Sequence, residues 1–239
     1  MNRVGDILNY EALSRGDTLA EQIHRQLVGA IIAGSYAPKE RINVRRLAVE
    51  MGASVTPVRE AVLRLVADGV LGVTEKSAIV VPERGLDEIA EIFDIRRTLE
   101  GDMAIAAAKK ITDTDVQNLK DTQESFLAAL DAGDYQKVLQ LNSVFHFLIY
   151  QRAESPLRLE FARILWLRIG PTLRYMYPLL HKGRGDHRRH EDIIEAAERR
   201  DPEELRNSIL ADLGSSLEAL RRYKQEQAAL PPRRVRKRA

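Results

Sequence analysis

The 239-residue sequence contains no cysteine. This absence excludes a disulfide framework and thiol catalysis, and it fits a reducing compartment. The sequence also lacks an uncharged apolar run of roughly eighteen residues, the length that a membrane-spanning helix needs. Its N-terminus lacks the basic segment followed by an apolar one that marks a signal peptide. We therefore expect a cytoplasmic protein with no membrane partner.

Two further absences concern chemistry: there is no glycine-rich phosphate loop and no nucleophile motif. Hydrophobic residues make up 44% and charged residues 30% of the chain, as in folded globular proteins. The net charge of +2 indicates no particular partner. The segment 231–239 (PPRRVRKRA) is basic throughout and is predicted to be disordered, either simply solvated or in nonspecific contact with phosphate.

Helix and strand signals in the N-terminal part follow one another closely. Thr18 begins a capping box for a first helix, Asn43 can cap a short helix over 44–51, and a third helix is predicted over 55–68. The pieces LGVT and AIVVP then predict a small β-hairpin. Three helices and a hairpin predict a winged helix-turn-helix over residues 15–82, preceded by an extension over 1–14.

The third helix carries polar residues where a DNA reader needs them. Val58, Ala61 and Leu65 share its core face, whereas Arg59 lies off that face. The second helix of such a motif enters the major groove with its N-terminal residues at base edges, and arginine suits both guanine and phosphate. The alternative is a small helical domain with an ordinary charged surface.

From residue 83 onward the strand signal stops and long helical patterns take over. Helices are predicted over 86–109, 113–131, 134–152, 156–177, 187–200 and 202–226. We therefore predict an all-α bundle over residues 83–226, followed by the basic tail over 227–239. The fold class is mainly α.

Several polar residues interrupt the apolar stripes of these helices. They are Arg96, Asn142, His146, His190 and Asp212. Because buried charges are costly unless they are paired or bound to metal, these side chains either contact one another or line a polar cavity. Imidazole and carboxylate groups suit zinc, nickel, manganese or iron. The alternatives are a satisfied core histidine at His146, a helix–helix hydrogen bond at Asn142, and an ion pair of Arg96 with Glu100.

Two stretches carry a family resemblance. INVRRLAVEMGASVTPVREAVLRLVADGVL resembles the DNA-binding domain of the GntR family of bacterial transcription regulators, and LAEQIHRQLVGAIIAGSYAPKERI resembles its first helix and turn. IAEIFDIRRTLEGDMA and HEDIIEAAERRDPEEL look like the FCD subfamily, whose helical domain binds an effector. The resemblance covers roughly residues 15–222.

The resemblance implies a set of DNA-facing residues. The set is Arg45, Ser54, Thr56 and Arg59. Family members often have arginine where this chain has Val55, and glycine at the wing tip where it has Ser77. These two departures bear on base preference and on the reach of the wing.

The resemblance also implies a metal site. Many FCD domains hold a metal with an aspartate, a histidine four residues later, and two histidines from later helices. Here His146 and His190 match, Asn142 replaces the aspartate, and Asp212 replaces the last histidine. His187, one turn before His190, is a substitute ligand.

The expected function is that of a DNA-binding transcription regulator and not of an enzyme. We expect a homodimer on an inverted repeat, controlled by a small carboxylate effector near Arg96 and Asn142, at a site with zinc, nickel or manganese. Arg168 and Arg174 are further effector candidates without a motif. The alternative function is a metal-dependent hydrolytic enzyme that uses the cluster of histidine and aspartate residues.

Overall fold

The structure, a computed structural model, describes residues 17–177 and 188–229. The extension over 1–14, His187 and the basic segment 231–239 therefore lie outside the described residues. Across the described ranges the chain forms nine helices and one antiparallel hairpin. The prediction of a mainly α fold with a winged helix-turn-helix and a helical bundle is confirmed. No helix in these ranges is long and apolar enough to cross a membrane.

The N-terminal unit is a three-helix bundle with a short wing. Its elements are α1 (Leu19–Ile32), α2 (Val44–Glu50), α3 (Val55–Ala67), β1 (Gly72–Val73) and β2 (Ile79–Val80). The capping box of Thr18 and Glu21 is present at the start of α1, as the sequence predicts. The apolar face of α3, which includes Val58 and Leu65, is buried in the core of this unit.

The C-terminal unit contains the six remaining described helices. They are α4 (Leu86–Ala108), α5 (Asp113–Asp131), α6 (Tyr135–Gln151), α7 (Pro156–Leu173), α8 (Arg188–Arg199) and α9 (Pro202–Ala229). Most ends lie within one or two residues of the prediction. Helix α7 ends earlier than predicted, shortly after Pro171, because proline removes a helical hydrogen bond and its ring crowds the preceding turn.

Helix α6 lies at the centre of the bundle. It packs against α5, α4 and α7, and also contacts α1 of the N-terminal unit. Every residue from Leu141 to Tyr150 is consequently buried. His146, predicted at the margin of a buried stripe, is fully buried. Polar groups on α6 must therefore find partners inside the protein.

The two units meet along α7. Leu167 packs into the hydrophobic core of the N-terminal unit, whereas Trp166 belongs to the core of the bundle. Arg168 donates hydrogen bonds from Nε (2.9 Å) and Nη2 (2.7 Å) to the backbone oxygen of Asp68, at the C-terminal end of α3. Arg84, in the connection between the units, donates to the backbone oxygen of Arg168 at 2.8 Å. One helix thus contacts both the recognition helix and the bundle interior.

Candidate functional site

A cleft of about 410 Å³ lies between the start of α3 and the wing. Arg45 and Arg59, both predicted to face DNA, line it together with Arg41. The backbone of Arg41 pairs with Val80 of β2, which fixes the segment before α2 against the wing. The cleft therefore gathers three exposed guanidinium groups on one side of the N-terminal unit.

The arginines of the cleft differ from their neighbours in their partners. Arg46 forms an ion pair with Glu50, and Arg64 forms one with Glu60, each one helical turn away. No such carboxylate partner contacts the three cleft arginines within the described part of the chain. Their positive charge is consequently available to an external anion such as a phosphate group.

Ser54 and Thr56 occupy the exposed first turn of α3, beside the cleft but not in its lining. Ser54 is the N-cap residue, yet its hydroxyl makes no capping hydrogen bond. Ser54 and Thr56 are thus exposed at a helix N-terminus, a position that favours negative charge. Ser77 at the wing tip has a φ of 56°, a left-handed conformation that favours glycine.

The second candidate site lies inside the bundle, where α6, α8 and α9 meet. One ligand atom each from His146, His190 and Asp212 lies within 4.8 Å of the other two. His146 Nε2 is 3.2 Å from Asp212 Oδ2, and His190 Nε2 is 3.1 Å from Asn142 Oδ1. The structure therefore brings together all four residues that the sequence singles out as metal ligands.

The surroundings of the two histidines indicate which of their ring nitrogens can present a lone pair. His146 Nε2 is buried and makes no hydrogen bond of acceptable geometry, despite its closeness to Asp212. The other ring nitrogen of His190, Nδ1, lies 2.7 Å from the amide oxygen of Gln123. The amide oxygens of Gln123 and Asn142 both only accept, so a neutral His190 donates to one of them and turns its lone pair towards the other; the tautomer with the proton on Nδ1 is the one in which Nε2 can bind a metal.

The charge of Asp212 fits this arrangement. Burial by itself raises the pKa of Asp212, but the adjacent His146, with His190 and Arg96, lowers it below its ordinary value. The carboxylate is therefore ionised at neutral pH. A half-buried anion and two imidazole lone pairs converge on one point.

The donor set fits a divalent transition metal. At bond lengths of about 2.0–2.2 Å, two ligand atoms of one ion are at most about 4.4 Å apart, so donor atoms within 4.8 Å of one another are close to the spacing that one ion would need. Two imidazole nitrogens with one carboxylate suit zinc, nickel or manganese. The amide oxygen of Asn142 lies beside these donors, 3.1 Å from His190 Nε2.

Arg96 has a different environment from the one expected of an effector clamp. Its Nε donates to Glu100 Oε1 at 2.6 Å, and its guanidinium lies over the Trp166 ring at 4.3 Å. The structure thus contains the ion pair between Arg96 and Glu100, which the sequence analysis gave as the alternative to an effector clamp. Arg96 Nη2 is also near Glu100, so Nη1 is the nitrogen that this carboxylate does not engage.

Glu100 is also the centre of a buried polar network. It accepts hydrogen bonds from the Tyr150 hydroxyl at 2.5 Å and from the Trp166 indole at 3.0 Å. Tyr150 lies 3.2 Å from His146 Nδ1. Burial, together with the nearby Glu100, raises the pKa of Tyr150 well above its usual value, so its hydroxyl keeps its proton.

Comparison with known proteins decides the family. Residues 91–215 match the FCD domain, and residues 19–81 match the bacterial regulatory proteins of the gntR family. This chain belongs to the GntR family. It carries an FCD domain, and the match to that domain alone spans more than half of the sequence.

The relatives of this GntR-family chain are described as transcription regulators. The HTH-type transcriptional regulator McbR of Escherichia coli K12 is 34% identical over 164 residues, which cover 69% of this chain and 74% of McbR. YdhC of Bacillus subtilis, an uncharacterized HTH-type transcriptional regulator, is 27% identical over 220 residues, 86% of this chain and 92% of YdhC. The expectation of a DNA-binding transcription regulator, and not an enzyme, is thereby confirmed.

Solved structures agree with the fold. The structure of E. coli McbR/YncC superposes with a TM-score of 0.80 at 30% identity, covering 88% of this chain and 99% of that one. A GntR regulator from Rhodococcus sp. RHA1 superposes with a TM-score of 0.71 at 18% identity, covering 89% and 99%, which supports the fold alone.

Sequence reasoning missed several residues of both sites. Arg41 gave no signal because it precedes α2 and reaches the cleft only through its pairing with the wing. Tyr150 had a usable signal, since it lies four residues after His146, the same spacing that joins His146 to Asn142. Gln123, on α5, had no sequence signal that linked it to the site. Arg168, a candidate for the effector pocket, instead contacts Asp68 between the two units.

Proposed function

We propose that this chain binds an inverted-repeat operator as a homodimer, and that a small carboxylate effector bound at a divalent cation in the helical domain controls that binding. The observation that carries the proposal of a cation is the convergence of His146, His190 and Asp212 around a buried nitrogen that lacks a hydrogen bond. Asn142 completes the proposed ligand set.

The DNA-contacting residues follow from charge and exposure. Arg45 and Arg59 line the cleft without carboxylate partners among the described residues, and Ser54 and Thr56 are exposed on the first turn of α3. In this design the N-terminal turn of α3 faces base edges. Arg59 is the arginine of α3 that lies near this turn and lines the cleft, so we assign it base contact.

Arg59→Ala tests this assignment against the matched control Arg64→Ala. A duplex selected from a randomised library by the full-length wild-type chain serves as the probe, and affinity is measured by fluorescence anisotropy at fixed salt. Arg59→Ala is expected to weaken binding by about 1–3 kcal/mol and to relax base preference. Arg64→Ala is expected to change little because Glu60 already neutralises that arginine. Unchanged affinity for Arg59→Ala would remove α3 as the reading helix.

Arg41 has a different proposed role. It lies on the segment held by the wing, away from the recognition helix, so we assign it phosphate contact. Arg41→Ala should weaken binding to selected and arbitrary duplexes alike and reduce the slope of affinity against salt by about one. Deletion of 231–239 should also flatten the salt dependence without changing the preferred sequence.

An exposed apolar patch supports the homodimer. Ile95 and Ile105 on α4 and Leu157 and Phe161 on α7 are exposed, with Phe161 exposing 57% of its surface. The ion pair of Asp102 with Arg158 joins the two helices between these side chains. Exposed apolar side chains on two helices that pack together favour protein association.

Sedimentation analysis tests the patch. Phe161→Glu is expected to shift the chain from dimer to monomer, because a carboxylate on one copy would be desolvated against the other. Val49→Glu is the matched control, since Val49 is an exposed apolar residue on α2, outside the patch. A wild-type monomer, or a dimer unaffected by Phe161→Glu, would contradict the proposed interface.

The cation would organise an anion site. Two imidazoles and one carboxylate leave coordination positions open, and the oxygens of a carboxylate effector would fill them. The proposed effector contacts are Asn142, beside the cluster, and Arg96 through Nη1, the nitrogen that Glu100 does not engage. The cation then shapes a binding site, which is the role expected in a regulator.

Thermal unfolding tests the effector class. Short mono- and dicarboxylates are added to protein loaded with zinc, nickel or manganese, and the melting temperature is recorded. A ligand that binds the folded state raises the melting temperature. The rise is expected to disappear in Asn142→Ala and in metal-free protein. A carboxylate that stabilises the metal-free chain equally well would contradict a shared site.

The route to DNA runs through α7. Trp166 contacts Glu100 in the polar network, and Arg168, two residues later on the opposite side of α7, contacts Asp68 at the end of α3. Effector binding can change operator affinity only if it prefers one arrangement of the two units over another. We propose that α7 is the element whose position differs between those arrangements.

A further inference from the structure

Tyr150 lies between a buried carboxylate and a proposed metal ligand. Its hydroxyl is 2.5 Å from Glu100 Oε2 and 3.2 Å from His146 Nδ1. Both Glu100 and Tyr150 are fully buried, so no solvent competes for these contacts. Glu100 is itself fixed by Arg96 at 2.6 Å and by the Trp166 indole at 3.0 Å.

For a neutral His146 ring, the contacts of Tyr150 leave one arrangement of protons. A phenol has a single proton, whereas an ionised carboxylate has none and can only accept. The short contact to Glu100 takes the proton of Tyr150, since hydrogen bonds to a charged acceptor are the stronger ones. The phenol oxygen can then only accept from His146. His146 Nδ1 must therefore carry the ring proton.

We infer that Tyr150, oriented by Glu100, is a positioning residue that holds His146 in the Nδ1–H tautomer, so that Nε2 faces Asp212 as a bare lone pair. This inference deepens the proposed function, on whose cation site it rests, and it adds two residues outside the ligand set. Metal-bound histidines commonly donate their second N–H to an oxygen that fixes the ring and the tautomer. Here the Glu100 carboxylate acts indirectly, because it orients the Tyr150 hydroxyl that accepts the N–H of His146.

The tautomer itself can be read in metal-free protein. The chain has five histidines, so selective ¹⁵N labelling gives a simple long-range ¹H–¹⁵N spectrum, in which His146→Gln assigns the His146 signals. The measurement is made at mildly alkaline pH, above the ordinary histidine pKa of about 6.5. Wild-type His146 is expected to carry its ring proton on Nδ1.

Tyr150→Phe is the decisive variant because it removes only the hydroxyl. His146 Nδ1 then has no oxygen to donate to, and the ring proton is expected to move to Nε2, where Asp212 can accept it. Tyr223→Phe, which removes a phenol oxygen from a half-buried stacked pair with Tyr175, is the control and should leave the His146 signals unchanged. Circular dichroism checks that both variants fold.

Three results would overturn the inference. They are a wild-type His146 protonated on Nε2, a wild-type imidazolium with both nitrogens protonated, and a folded Tyr150→Phe with the wild-type tautomer. A second readout is zinc affinity by competition with a chelator, which Tyr150→Phe should lower by about 10- to 100-fold while Tyr223→Phe does not. A wild-type chain that takes up no metal would end the proposed cation site, whereas the tautomer measurement would still decide the role of Tyr150.

Discussion

Replacement of Arg168 by alanine should uncouple the two units of the chain. The Arg168 guanidinium donates two hydrogen bonds, of 2.9 and 2.7 Å, to the backbone oxygen of Asp68, which ends the recognition helix α3. A cation at a helix C-terminus is also favoured by the helix dipole. Alanine removes both effects and leaves that carbonyl without this partner.

The size of the effect can be worked from the contacts. A hydrogen bond to a charged group contributes about 1.5–3 kcal/mol when buried. The two bonds share one acceptor and Arg168 is half-buried, so solvent screening and replacement by water reduce their sum. We expect Arg168→Ala to lower the free energy of unfolding of the N-terminal unit by about 1–2 kcal/mol.

Urea unfolding followed by two probes separates the units. Trp166, the single tryptophan of the chain, lies in the core of the bundle and reports on that unit, whereas far-ultraviolet circular dichroism reports on all helices. The two transitions should coincide in the wild type, as a cooperative unit requires. In Arg168→Ala part of the dichroism should be lost before the fluorescence changes.

Arg163→Ala is the matched control, because Arg163 is an exposed arginine on the same helix that lies over the Phe147 ring within the bundle. Its two transitions should remain coincident. Coincident transitions with an unchanged midpoint in Arg168→Ala would refute the idea that Arg168 holds the units together. The route through α7 would then lose its main support.

Three further changes test the packing and the caps. Gly170→Ala should destabilise, because its new Cβ would lie 3.0 Å from a backbone oxygen of α1, whereas Gly214→Ala, with only a side-chain atom at 3.7 Å, should gain up to about 1 kcal/mol of helix stability by denaturant unfolding. Asp115→Asn should cost about 1 kcal/mol at neutral pH. Burial alone raises the pKa of Asp115, but Arg152 and the cap hydrogen bonds lower it below its usual value, so the carboxylate stabilises above about pH 4 and the difference from wild type should vanish as pH falls below that value. Ser77→Gly should raise the melting temperature, since glycine adopts the left-handed φ of 56° without strain; an unchanged or lower value would contradict this.

Local signals in the sequence were enough to predict most of the fold. The capping box at Thr18 and the cap at Asn43 set helix starts that the structure reproduces. Pro171 was not recognised as a stop, because a helix can continue for a short distance past proline before it ends. Local patterns therefore predict where elements begin better than where they end.

The polar cluster was predictable in part. Spacing placed Asn142 and His146 on one side of α6, but the all-round burial of α6 depends on how other helices cover it, which no local pattern encodes. Glu100 entered only as an ion-pair partner of Arg96. Its contacts with Tyr150 and Trp166 join residues 50 and 66 positions apart, so only the tertiary structure reveals them.

The most direct test of the account is the metal content of the chain. Chelator-treated wild-type protein is dialysed at neutral pH against zinc, nickel or manganese, and bound metal per chain is measured together with that of Asp212→Asn and His190→Gln. His24→Gln, which alters a histidine in the N-terminal unit, is the control. We predict one ion per chain for the wild type and the control, and a loss of binding in both cluster variants. A wild-type chain that retains none of the three metals would contradict the account.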